Sequence, residues 1–136
     1  MGMSIHRSEA EILRKRALEF LEEAQIALGR GSYDLACFLS EQALQLYLKY
    51  VLLMIVGDYP RTHSIRKLLG EIARILSSKE LEGFIKANRA RLIALEDAYI
   101  MARYFTSEYG REDAEDMVKL VKETMNLVNK LVGGRV

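Results

Sequence analysis

The chain has no tryptophan, one proline, one cysteine and two histidines among 136 residues. A single cysteine, Cys37, has no internal disulfide partner, and its neighbours Ala36 and Phe38 predict a buried thiol in a reducing compartment. The histidines, His6 and His63, are far apart, and no Glu-x-x-His pair is present, so the sequence offers no metal set. No Gly-x-x-x-x-Gly-Lys or Gly-x-Gly-x-x-Gly loop and no serine elbow is found. A net charge of +1 excludes a strong general attraction to nucleic acid or anionic membrane, so any basic site has to be local. No segment alternates apolar and polar residues over a strand's length, and no linker or repeat divides the chain. These absences predict one all-α domain over residues 1–136, with no cofactor.

What is present is apolar and helical. Half the residues are hydrophobic and 29% are charged, the balance of a globular chain. The N-terminal stretch MGMSIHRSEAEILRKR is charged where a secretory signal needs an apolar core, which with Cys37 predicts a cytoplasmic protein. The spine is Tyr33 to Val56, unbroken by glycine or proline and long enough at helical rise to span roughly 36 Å. Its broad apolar face is read as Leu35, Phe38, Leu39, Leu46, Tyr47, Tyr50, Val51 and Met54, with Leu44, Leu48, Leu52 and Ile55 outside it. Such a helix is either the centre of a bundle or is partly covered by a second copy of the chain. Lys49 and the polar residues from Ser40 to Gln45 argue against a membrane span.

Around this spine the pattern gives an antiparallel up-and-down bundle of about five helices. Ser8 and Glu11 have capping-box spacing, opening a first helix that runs to Leu28, with Ile12, Leu13, Ala17, Phe20, Leu21, Ala24 and Leu28 on one face. Thr62 or Ser64 caps a third helix from Ile65 to Leu76. A short helix from Lys79 to Ala87 leads into a longer one from Arg91 to Phe105, and Thr106 to Gly110 form a polar turn. The last helix, Glu112 to Leu131, carries acidic residues in its first turns, as the helix dipole favours.

Three groups of residues can carry chemistry. Arg61, Thr62, His63 and Ser64, followed by Arg66 and Lys67, gather cations and a histidine at a helix start, where free N–H groups suit an anion. Alternatively His63 simply staples that helix. Tyr99, Arg103 and Tyr104 place an arginine beside aromatics, an arrangement that stacks a base and grips a phosphate; alternatively Arg103 pairs with a carboxylate such as Glu96. Glu41, Gln42, Gln45 and Lys49 form a polar strip whose ordinary role is solvation, and which matters only if it faces the other two groups.

Taken together, Tyr33-x-x-Ala36-x-Phe38-x-x-x-Gln42-Ala43 running on to Lys49, then Thr62-His63-Ser64-Ile65, then Leu95-x-x-x-Tyr99-x-x-x-Arg103-Tyr104 resemble the HEPN (higher eukaryotes and prokaryotes nucleotide-binding) family along nearly the whole chain. The resemblance implies a helical bundle, frequently a homodimer, that acts beside a minimal nucleotidyltransferase, in some pairs as toxin and antitoxin. Other members are RNases, whose signature is an Arg, four to six residues, then a His. Here Arg61 and His63 are too close and no histidine follows Arg103, which removes the proton carrier a metal-independent RNase needs. The family's acidic residue after Gln-Ala-Ala is Gln45. What carries over is a nucleotide- or phosphate-binding set of Gln42, Lys49, His63, Arg103 and Tyr104, with no catalytic residue. The expectation is therefore a non-catalytic nucleotide- or RNA-binding module, homodimeric through helix 2 and partnered by a nucleotidyltransferase. The alternatives are an RNase pairing His63 and Arg103 across a dimer and a plain protein-interaction subunit.

Overall fold

The computed structural model describes residues 2–104 and 109–133, the side chains of 2–6, 103 and 104 excepted. Six helices are described: α1 (Gly2–Gly29), α2 (Tyr33–Val56), α3 (Ile65–Leu76), α4 (Lys79–Ala87), α5 (Arg89–Tyr104) and α6 (Arg111–Leu131). The fold is an all-α helical bundle. α2 packs against α1, α3, α5 and α6, so it is the hub. By length and composition α2 is apolar enough to cross a membrane, but 61% of its most apolar stretch is buried inside the fold, and it serves as a core helix.

Chain reversals are set by residues that adopt the left-handed conformation. After α1, Gly31 (φ 82°) lets Ser32 N–H reach the Ala27 carbonyl at 2.9 Å and Gly31 N–H reach Leu28 at 3.1 Å. The same double bond closes α3, with Ser77 (φ 49°) in the glycine position. α3 and α4 begin at Ser64 and Ser78, whose hydroxyls accept from Lys67 N and Leu81 N. Asn88 separates α4 from α5, so the two are distinct helices.

Three sequence readings change. α1 begins at Gly2, so Ser8 lies inside the helix and opens nothing. Its fully buried stripe is Ala10, Ala17, Ala24 and Ala27, with Leu13, Phe20, Leu21 and Leu28 half-buried against the core and Ile12 exposed; small side chains let α1 approach α2 closely. On α2 the assignment of faces holds only in part: Tyr47, Tyr50 and Val51 are buried as expected and Ile55 is half-buried, but Leu44, Leu48 and Leu52 are fully buried too, whereas Leu35 is exposed and Phe38, Leu39, Leu46 and Met54 are half-buried. Four neighbouring helices cover the supposed outer face, a tertiary choice the pattern of one helix does not encode. Phe105 and the turn residues Thr106 to Glu108 lie outside the described residues.

Candidate functional site

Half of the polar strip of α2 faces inward, with Gln42 and Lys49 half-buried at its edge. Glu41 and Gln45 are buried in the core-facing surface of the helix, correcting the expectation that this strip is solvated. Glu41 accepts hydrogen bonds from Gln42 Nε2 and Gln45 Nε2, each at 2.7 Å, one on each carboxylate oxygen. Burial pushes its pKa up to about 7, with those two bonds and Lys49 opposing the rise and Glu96 adding to it. Ser40 and Thr124, the other buried polar residues among those described, donate to the carbonyls of Ala36 and Leu120.

The carbonyl end of Gln45 is where the three groups meet. Lys49 Nζ donates to Gln45 Oε1 at 3.0 Å, and His63 Nδ1 lies 3.0 Å from the same oxygen. The ammonium fixes the amide with its oxygen toward Lys49, since the opposite orientation would set donor against donor. His63 Nδ1 therefore carries a proton and donates, which leaves Nε2 as the free nitrogen of an exposed ring and, in the neutral imidazole, an acceptor. The His63 ring stacks on Tyr99 of α5 with centroids 4.8 Å apart and planes 19° apart, and Tyr99 continues onto Phe38 of α2 at 6.5 Å. α2, the loop and α5 thus contribute to one site.

The loop is held from within and from α5. Thr62 Oγ1 accepts from Ser64 N at 3.0 Å, and Ser64 Oγ donates to Glu96 Oε1 at 2.6 Å. Arg66 Nε takes the other Glu96 oxygen at 2.6 Å. Both Glu96 oxygens are thereby engaged by the start of α3; the alternative pairing with Arg103 falls on a side chain outside the described residues. Tyr59 sits between cations, with Lys49 Nζ 5.5 Å and Arg61 5.9 Å from its ring centroid. Burial lowers the Lys49 pKa, with Arg61 adding to the fall and Glu41 opposing it.

Of the sequence-predicted site residues, Gln42, Lys49 and His63 come together through Glu41 and Gln45. Arg103 and Tyr104 belong to the backbone of α5, four and five residues beyond Tyr99, and their side chains lie outside the described residues. Sequence reasoning missed Tyr59 and the partnering of Glu96. It had a signal for Glu41, whose four-residue steps to Gln45 and Lys49 define one helix line, but not for its burial. The surface is an aromatic floor edged by Lys49, Arg61 and an imidazole acceptor, suited to a nucleobase and its phosphate.

The family model for the HEPN domain matches residues 10–131. The chain belongs to the HEPN family. Among solved structures it is similar to TT1696 from Thermus thermophilus, at 27% identity over 90% of this chain and 97% of that one, with a TM-score of 0.73. It is also similar to ST0689, described as an archaeal HEPN homologue, at 26% identity over 89% and 95% of the two chains, with a TM-score of 0.64. A search of curated proteins finds no match. As a HEPN domain, the chain is a helical module of the nucleotide-binding or RNase-like kind.

Proposed function

We propose that this HEPN domain is a non-catalytic nucleotide- or RNA-binding module that works with a minimal nucleotidyltransferase in a toxin–antitoxin-like pair in the cytoplasm. The observation that carries the binding assignment is the His63 ring, stacked on Tyr99 and hydrogen-bonded to Gln45 beside Lys49. In this reading Lys49 and Arg61 take the phosphate, joined by His63 when its outward Nε2 also carries a proton, an aromatic face takes the base, and Gln42 braces Glu41 beneath them. Arg103 and Tyr104, four and five residues beyond Tyr99 along α5, are assigned to the same site in this reading. The partial exposure of Leu35, Phe38, Leu39 and Leu46 along α2 supports a homodimer through that strip, next to Gln42 and Lys49. Light scattering returning a 15.5 kDa particle at micromolar concentration would count against the dimer.

One observation favours a second reading. Because Nδ1 of His63 donates to Gln45, Nε2 presents a lone pair outward, as a general base requires. An RNase would pair this nitrogen with Arg103 across a dimer. Metal-free incubation of labelled mixed-sequence RNA separates the two. No cleavage with protein in excess is expected; cleavage lost in both His63→Ala and Arg103→Ala would establish the nuclease instead. Binding of a partner protein with no affinity for nucleotide or RNA would leave an interaction subunit.

A further inference from the structure

A second recess, of about 270 Å³, lies between α1, α2 and α6, apart from the His63 site. Its floor is the edge-to-face pair Tyr47 and Tyr50, both buried, with ring centroids 5.7 Å apart. Arg14 of α1 lines one side, and Lys122, Asn126 and Asn129 of α6 line another. Leu18 and Met125 add an apolar surface.

Among the described residues no carboxylate lines this recess. Among them, too, neither Arg14 nor Lys122 has an ion-pair partner; Lys122 Nζ instead donates to Gln25 Oε1 at 3.0 Å. Burial pushes the Tyr47 hydroxyl up to about 12 and raises that of Tyr50, which Arg14 partly opposes. Both phenols therefore keep their protons at neutral pH. Every polar side chain lining the recess, whether guanidinium, ammonium, carboxamide or phenol, can donate a hydrogen bond, and the carboxylate that adds to the rise at Tyr50, Glu11 of α1, is outside that lining.

A ligand matching two cations and a ring of donors is doubly negative and rich in acceptor oxygens. A phosphate monoester fits, since it carries a charge of roughly −1.5 to −2 at neutral pH on three acceptor oxygens, where a carboxylate answers only one cation. The volume and the apolar wall suit a compact body. We infer that this recess binds a small phosphate monoester, its phosphate engaged by Arg14 and Lys122. The inference is independent of the role assigned to His63.

Glycerol 3-phosphate, which has no base to stack, tests it by calorimetric titration and by side-chain amide NMR, with glycerol as the uncharged control. The expected result is saturable binding of the phosphate ester alone, with shifts at Asn126 and Asn129. Arg14→Gln and Lys122→Gln should each weaken it about tenfold or more, as the loss of a charge-assisted hydrogen bond does. Arg14→Lys should retain most of the affinity, with thermal melts confirming that each variant folds. Absence of saturable binding at millimolar ligand, affinity unchanged in both neutralised variants, or shifts confined to the His63 loop would overturn the inference.

Discussion

His63 Nδ1 and Gln45 Oε1 lie 3.0 Å apart, joining a loop to the core of a helix eighteen residues earlier. Gln45 donates its amide to buried Glu41 and offers its carbonyl to both His63 and Lys49, so one side chain couples the core carboxylate to the exposed ring. Gln45→Ala should cost about 1–3 kcal/mol, because Glu41 and Lys49 each lose a partner in a poorly solvated place. Chemical denaturation measures the loss. The same variant should also broaden the His63 ring signals in NMR as the imidazole loses its anchor.

Glu41 makes stability depend on pH in an unusual direction. Its pKa is about 7 in the fold against an ordinary 4.5, so between those values the folded chain holds a proton that the unfolded chain has released. Stability therefore falls as pH rises from about 4.5 through about 7, by at most about 3 kcal/mol from this group. Thermal melts at pH 5, 6, 7 and 8 should show the decline in the wild type and a flatter profile in Glu41→Gln.

How much of this was legible beforehand differs between fold and site. α2 and α3 have the bounds the sequence predicts, α2 ending at left-handed Gly57 and α3 opening at the Ser64 cap, because capping chemistry is local. The start of α1 was misread and the inner face of α2 read only in part, because which side of an apolar helix is covered depends on neighbours distant in sequence. At the site, the three residue groups could be named separately. Their convergence on Gln45 spans 18 residues to His63, and the Ser64 and Arg66 bonds to Glu96 span 32 and 30, distances no local pattern encodes.

The helix-capping serines differ in role. Ser64 and Ser78 accept from the first turns of α3 and α4, and Ser64 also donates to Glu96. Ser32, before α2, makes no side-chain cap bond. Ser64→Ala and Ser78→Ala should each cost about 1 kcal/mol, with Ser64→Ala the larger, and Ser32→Ala should cost less. Urea denaturation midpoints rank the three.

Cys37 is fully buried, and its thiol pKa is pushed up to about 12 by burial and, secondarily, by Asp113 and Asp34. The native protein should resist iodoacetamide at pH 8 and react only at the rate of its unfolding, since the thiolate is the nucleophile. Mass spectrometry across a denaturant series reads this directly; rapid labelling of the folded chain would contradict the packing around α2.

The most direct measurement is fluorescence-anisotropy titration of a short single-stranded RNA with the wild type, Lys49→Gln and His63→Ala at one fixed salt concentration. Saturable binding by the wild type, weakened about tenfold in each variant by loss of a phosphate contact or of the stacked ring, is the expected result. Equal affinity in all three proteins, or no saturable binding by the wild type, would contradict a nucleotide- or RNA-binding site at His63.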